Sequence, residues 1–165
     1  MNVEELRDLV ETRAEVVPHS RAQLAGFERV LTNANIADYL LNCLPNTSYV
    51  ASDVNILDLG EKRAYAAEGC SPGGVVLPFG YVAVALDVGG NAISFGSDGH
   101  GYWADHTVST SSITYHNLER DEWEDWGNTT PEKVRRALVS LSASIENFLK
   151  DLLADRLSEQ LEALS

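Results

Sequence analysis

Between Asp98 and His106 the chain sets two aspartates and two histidines within nine residues, in the run Asp98-Gly99-His100-Gly101-Tyr102-Trp103-Ala104-Asp105-His106. Imidazoles and carboxylates are ligands for divalent metals, and a hairpin can make them converge. A metal-dependent enzyme built on this hairpin is therefore one reading. Against it, strand alternation puts His100, Tyr102 and His106 on one face and Trp103 and Asp105 on the other, and no HExxH or HxH grouping occurs. The preferred reading is a hairpin tip with an Asp-Gly turn, solvated Asp and His, and aromatic rings covering the sheet. No metal, cofactor or catalytic residue is expected.

The other reactive side chains carry less. His116 alternates away from Ile113 and Tyr115, as a surface residue on a strand would, and His19 follows Pro18 at a helix start. Ser109-Thr110-Ser111-Ser112 has no GxSxG elbow around it and nothing to order a Ser–His–Asp triad. Cys43 and Cys70 are too few for a disulfide framework and lack CxxC spacing. They read as reduced thiols, which points to a cytoplasmic protein. Gly73-Gly74 and Gly89-Gly90 are not placed between a strand and a helix, and no GK[ST] follows, so they are not phosphate cradles.

Charge narrows the chemistry further. From Ala64 to Glu119 there is no Lys or Arg, while Glu68, Asp87, Asp98, Asp105 and Glu119 all fall in that stretch. A phosphate-handling site centred there would lack its cation. Glu119 to Trp126 then packs five carboxylates, one Arg and two Trp into eight residues. Trp is enriched at binding hot spots, and carboxylates around it steer the approach of a basic protein. The candidate partner-binding set is Asp98, His100, Tyr102, Trp103 and Asp105 on the hairpin, with Asp121, Glu122, Trp123, Glu124 and Trp126 on the acidic stretch.

The elements that would position these residues follow from periodicity. Val3, Leu6, Leu9 and Val10 predict a helix over 3–15, broken by Val16-Val17-Pro18. A second helix is expected from Ser20 to Thr32 with Leu24, Phe27, Val30 and Leu31 inward, and a third over 36–44, ended by Pro45-Asn46. Strands are expected at 49–59, 62–68 (across a Gly60-Glu61 turn), 75–79, 81–88, 92–96, 100–108 and 113–118. In 81–88, Val82, Val84, Leu86 and Val88 should share one face. Asp98-Gly99 is a hairpin signal calling for positive φ at both central residues. Thr130-Pro131 starts a helical pattern that runs past thirty residues, with an apolar stripe from Val134 through Leu161 that could pair with a second copy. The fold class is α+β: one domain over 1–165, helical over 1–44, a sheet of about six antiparallel or mixed strands over 49–118, and helical again over 130–163. The N-terminal helices and a long C-terminal helix are expected on one face of that sheet.

The formal net charge of −13 argues against binding nucleic acid or an anionic membrane and favours a basic partner. The uncharged run Gly69 to Leu86 has the length of a membrane span, but Pro72, Pro78 and four glycines interrupt a β-branched core, so strand is preferred.

Leu77-Pro78-Phe79-Gly80, then Leu86-Asp87-Val88-Gly89-Gly90-Asn91-Ala92-Ile93-Ser94-Phe95, then Gly101-Tyr102-Trp103-Ala104-Asp105-His106 resembles the SUKH superfamily. That family shows a leading "pF" segment, a glycine-rich turn with Asn before a strand, and a "vyfwdH"-like strand. Its N-terminal "lP" lead into helix has only Leu44-Pro45 as a loose counterpart here, and its Asn-Gly loop is not clear. The resemblance implies an α+β domain that acts by protein contacts, as bacterial immunity proteins neutralising polymorphic toxins do, or as regulators of cell-wall synthesis do. It carries no catalytic residues. The expected function is thus a non-enzymatic binding domain for a basic cognate toxin, which could be a nuclease. The alternative is a regulatory or scaffold module dimerising through its C-terminal helix.

Overall fold

The computed structural model describes residues 2–67, 72–106, 114–117, 119–125 and 130–164. The chain starts with α1 (Val3–Glu11), where the Asn2 side chain accepts from the Glu4 amide at 3.0 Å and Leu6 and Val10 are buried. The helix expected over 20–32 is instead two short 3-10 turns, Ala22–Leu24 and Val30–Thr32. Gly26 between them sits at φ +98°, a backbone state that ends a helix. Leu24, Phe27, Val30 and Leu31 are buried all the same. In α2 (Ala34–Asn42), Asn33 starts the helix, its side chain accepting from the amides of Asn35 and Ile36.

The middle of the chain departs most from the sequence reading. The strand expected over 49–59 is a hairpin of β1 (Tyr49–Ala51) and β2 (Val54–Ile56), turning through Ser52 and Asp53 in left-handed conformation. The strand expected over 62–68 is α3 (Leu59–Ala67). Asp58 decides this, because its carboxylate accepts from the Glu61 amide at 2.8 Å and caps a helix where Gly60-Glu61 looked like a turn. Val75 to Phe79 likewise falls in α4 (Pro72–Val76) and a 3-10 turn over Leu77–Phe79, not in a strand.

The sheet is then laid down by β3 (Tyr81–Leu86), β4 (Ala92–Gly96) and β5 (Gly101–Ala104). Of the two central residues in the Asp98-Gly99 turn, only Gly99 takes positive φ. The strand expected over 113–118 does not join this sheet. Its described part, β6 (Thr114–Asn117), pairs with β7 (Glu122–Asp125) as a separate two-stranded sheet. Ser109 to Ile113 and Leu118 lie outside the described residues.

The long C-terminal helix is not formed. Residues 130–164 fold as α5 (Pro131–Ala137), β8 (Leu138–Ser142), α6 (Ile145–Leu153) and α7 (Ser158–Leu164). Thr130 caps α5 and Pro131 begins it, as the sequence predicts. The apolar stripe does not continue because Leu138 to Ser142 hydrogen-bonds to β5, after which the Ser144 side chain caps α6. Asp155, at φ +57°, follows the end of α6. Ile145, Phe148, Leu149, Leu152 and Leu161 are buried in the chain's own core, so they form no seam for a second copy.

The main sheet has strand order β1-β2-β3-β4-β5-β8, antiparallel throughout. Helices cover both of its faces, correcting the expectation of one. Leu6, Tyr39, Leu40, Phe148 and Leu152 pack with Val82, Ile93, Phe95 and Trp103 on one side. On the other, Val75 and Val76 of α4 and Val134 and Ala137 of α5 pack with Ala83, Leu86, Ala92, Tyr102 and Ala104. A bulge at Val84 reverses the alternation of β3. Ala85 joins Val82 and Val84 in the first core, Leu86 faces the second, and Val88 stands in the turn, exposed. Among the described residues no helix is long and apolar enough to cross a membrane.

Candidate partner-binding surface

The β4–β5 turn presents Asp98 and His100. One Asp98 oxygen accepts from the His100 amide at 2.9 Å and the other from the Tyr102 hydroxyl at 2.5 Å, with His100 Nδ1 3.7 Å from the latter. Both side chains of the Asp98–His100 pair are about half exposed. Tyr102 is not a surface residue. It is 4% exposed, packed edge-on against Tyr81 at 5.6 Å with the Arg135 guanidinium 4.8 Å from its ring centre. Burial, and then the Asp98 carboxylate, push its phenol up to about 12. Asp98 therefore anchors the hairpin tip to the core beneath it, and only its outer edge is left for a partner.

Trp103 is corrected more sharply, since it is fully buried and cannot touch a partner. Its indole donates to Asp87 Oδ2 at 2.9 Å, because a buried N–H needs an acceptor. The same carboxylate accepts from the amides of Gly89 and Asn91 and from the Asn91 side chain. Asn91 Oδ1 in turn accepts from the His106 amide at 2.8 Å and faces His106 Nδ1 at 3.0 Å. The direction of this chain is set at its root. A carboxylate only accepts, so the Asn91 NH₂ faces Asp87, its oxygen faces His106, and Nδ1 carries the imidazole proton. In the neutral imidazole this leaves Nε2 as the outward hydrogen-bond acceptor, on a ring 63% exposed. Asp105, 3.5 Å from the same Nδ1, sits beside it.

The two Asp–His pairs occupy opposite ends of β5. His100 and Asp105 are five positions apart, about 17 Å along an extended chain. Among the described residues no three His, Cys, Asp or Glu side chains gather as metal ligands.

Of the acidic stretch, Asp121 and Glu122 are exposed, Asp121 with φ +51° in the β6–β7 turn. Trp123 and Glu124 lie on β7, in register with His116 and Tyr115. Trp126 lies outside the described residues, as does Cys70. Cys43 is buried, and burial pushes its thiol up to about 12, the wrong direction for a nucleophile.

Two groups escaped the sequence reading. The Asp87–Asn91–His106 relay was visible only as a turn. Lys62 is the other. It is 2% exposed, its amine donates to the Leu57 carbonyl at 2.6 Å and lies 3.5 Å from that of Val84, and burial pulls its pKa down to about 7 against the Asp58 carboxylate. A helical reading of Leu59, Lys62 and Ala66 would have put it on the inward face. No family model matches this chain, and no curated protein or solved structure does either.

Proposed function

We propose that this chain is a non-enzymatic protein-binding domain of the SUKH type, an immunity protein that neutralises a basic cognate toxin in the cytoplasm. The observation that carries the reading is where the acidic groups stand. Asp98 and Asp105 flank β5 of the main sheet, Asp121 and Glu122 lie at the turn and start of β7 in the separate β6–β7 pair, and the stretch Ala64 to Glu119 contributes no cation. Such a surface attracts a basic protein and repels nucleic acid, and it can take the place of phosphate on a nuclease.

The residues of the SUKH resemblance have a matching role as scaffold. Asp87, Asn91 and Trp103 hold the sheet end together and fix the outward His106 acceptor. Where side chains are described, the contact set becomes Asp98, His100, Asp105, Asp121 and Glu122 with His106 added, and Trp123, Glu124 and Trp126 stay in the proposed set. Tyr102 and Trp103 support it from beneath.

The test is co-expression with the toxin domain encoded beside this chain's gene, read as restored growth, with calorimetric titration of the complex at rising NaCl. The expected result is rescue, with an affinity that falls as salt screens the carboxylates. The Asp121→Lys/Glu122→Lys double variant should bind at least about tenfold more weakly. No rescue, or an affinity indifferent to both salt and charge reversal, would overturn the reading.

A further inference from the structure

At the Asp87 end of the sheet, the β1–β2 turn (Ser52, Asp53), the β3–β4 turn (Asp87, Val88, Gly89) and α7 (Ser158, Leu161, Glu162) enclose a recess of about 150 Å³. That is too small for a cofactor or drug-sized ligand, whose pockets run to roughly 300–1,000 Å³, and is the size that takes one ring or one side chain. Its walls are preformed. Ser52 Oγ donates to the Leu152 carbonyl at 2.9 Å and ties the first turn to α6, Asp87 is held by its four donors, and Ser158 Oγ donates to Asp155.

The lining has two characters. Leu161, 8% exposed, is an apolar wall, and Val88, 85% exposed, is an apolar rim open to solvent. The ionisable groups are Asp53, Asp87 and Glu162, with no basic side chain among the lining residues. They do not group as metal ligands. An apolar wall under separated carboxylates fits an amphipathic cation: a methylene stem with a charged head.

We propose that this recess receives one arginine or lysine side chain of the protein partner, its stem against Val88 and Leu161 and its head between Asp53 and Glu162. The inference rests on the partner-binding reading above and names a contact which that reading lacks: a central anchor, where the exposed carboxylates supply only steering.

The experiment is an amide NMR titration of the intact protein with Nα-acetyl-arginine methylamide, alongside its citrulline counterpart, which has the same shape without the charge. Saturable shifts at Ser52, Asp53, Val88, Gly89 and Ser158 are expected with the arginine probe, in the millimolar range. They should be lost in Asp53→Asn/Glu162→Gln and weakened in Val88→Ala, with melting temperatures showing both variants folded. Shifts elsewhere only, no shifts, or equal shifts with citrulline overturn the assignment. The same variants in the toxin titration separate the two inferences. A complex formed equally tightly by wild type and variants refutes the recess and leaves the function standing. Arginine capture at the recess without any toxin complex refutes the function and leaves the recess standing.

Discussion

Lys62→Met separates the charge of the buried amine from its bulk. Lys62 is enclosed by α3, the segment after β2 and the bulged strand β3, with Asp58 the carboxylate acting on it and His19 the imidazole whose own pKa its charge helps to lower. Its pKa falls from 10.5 to about 7 on folding. At ~1.4 kcal/mol per unit, that is a penalty of about 5 kcal/mol on the charged form. Between pH 7 and 10.5 the unfolded chain holds a proton that the folded chain lacks, so stability rises with pH across that window. From pH 7 to 9 the gain from this one group is about 2 kcal/mol. Methionine fills a similar volume and does not titrate, but it leaves the Leu57 carbonyl without its 2.6 Å donor, a cost of about 1–3 kcal/mol. The two effects oppose each other at pH 7, so the diagnostic quantity is the slope. Urea unfolding at pH 7, 8 and 9 should show the wild type gaining on the variant by about 2 kcal/mol. Taking the difference cancels groups common to both proteins, including Cys43. Wild type and variant changing in parallel, within about 0.5 kcal/mol, would refute the account of a desolvated amine.

Asp87→Ala strips the acceptor from the Trp103 indole and from the β3–β4 turn amides. It should cost about 2–4 kcal/mol in urea unfolding, and a loss below about 1 kcal/mol would show the relay to be ornamental. Asp98→Asn removes the charge facing the Tyr102 hydroxyl and should bring that phenol down from about 12 without restoring its ordinary value, because burial is the larger cause; ring-carbon NMR of Tyr102 at alkaline pH reads this directly. Since Tyr102 keeps its proton longer folded than unfolded, its contribution holds up to about pH 10 and is lost as pH climbs toward 12. In a Cys70→Ser background, Cys43 should react with an aromatic disulfide reagent at least ~100-fold more slowly folded than in urea, and comparable rates would contradict its burial.

The hairpin tip and the acidic stretch were legible from local chemistry: Asp-Gly at a turn, carboxylates without cations, alternation that put Tyr102 and Trp103 on opposite faces. Whether those faces met solvent was not legible, because it depended on α4 and α5, which lie far from β5 in the chain and cover the face expected to be bare. Asp58 shows the same limit at shorter range. Its capping bonds turn 59–67 into helix and thereby bury a lysine that charge alone would assign to the surface.

The amino-acid sequence by itself determined the α+β class, the apolar sets of α1, α2 and α6, the helix start at Thr130-Pro131, and the negative surplus, since each is written in residue type and short-range spacing. Only the tertiary structure decided that Leu138 to Ser142 would leave a helical stripe to become the edge strand beside β5, that Trp103 would serve the core and His106 the surface, and that three separate turns and helices would close one acidic recess. Those outcomes rest on hydrogen bonds and burial between segments distant in the chain, and no local pattern encodes which of them will meet.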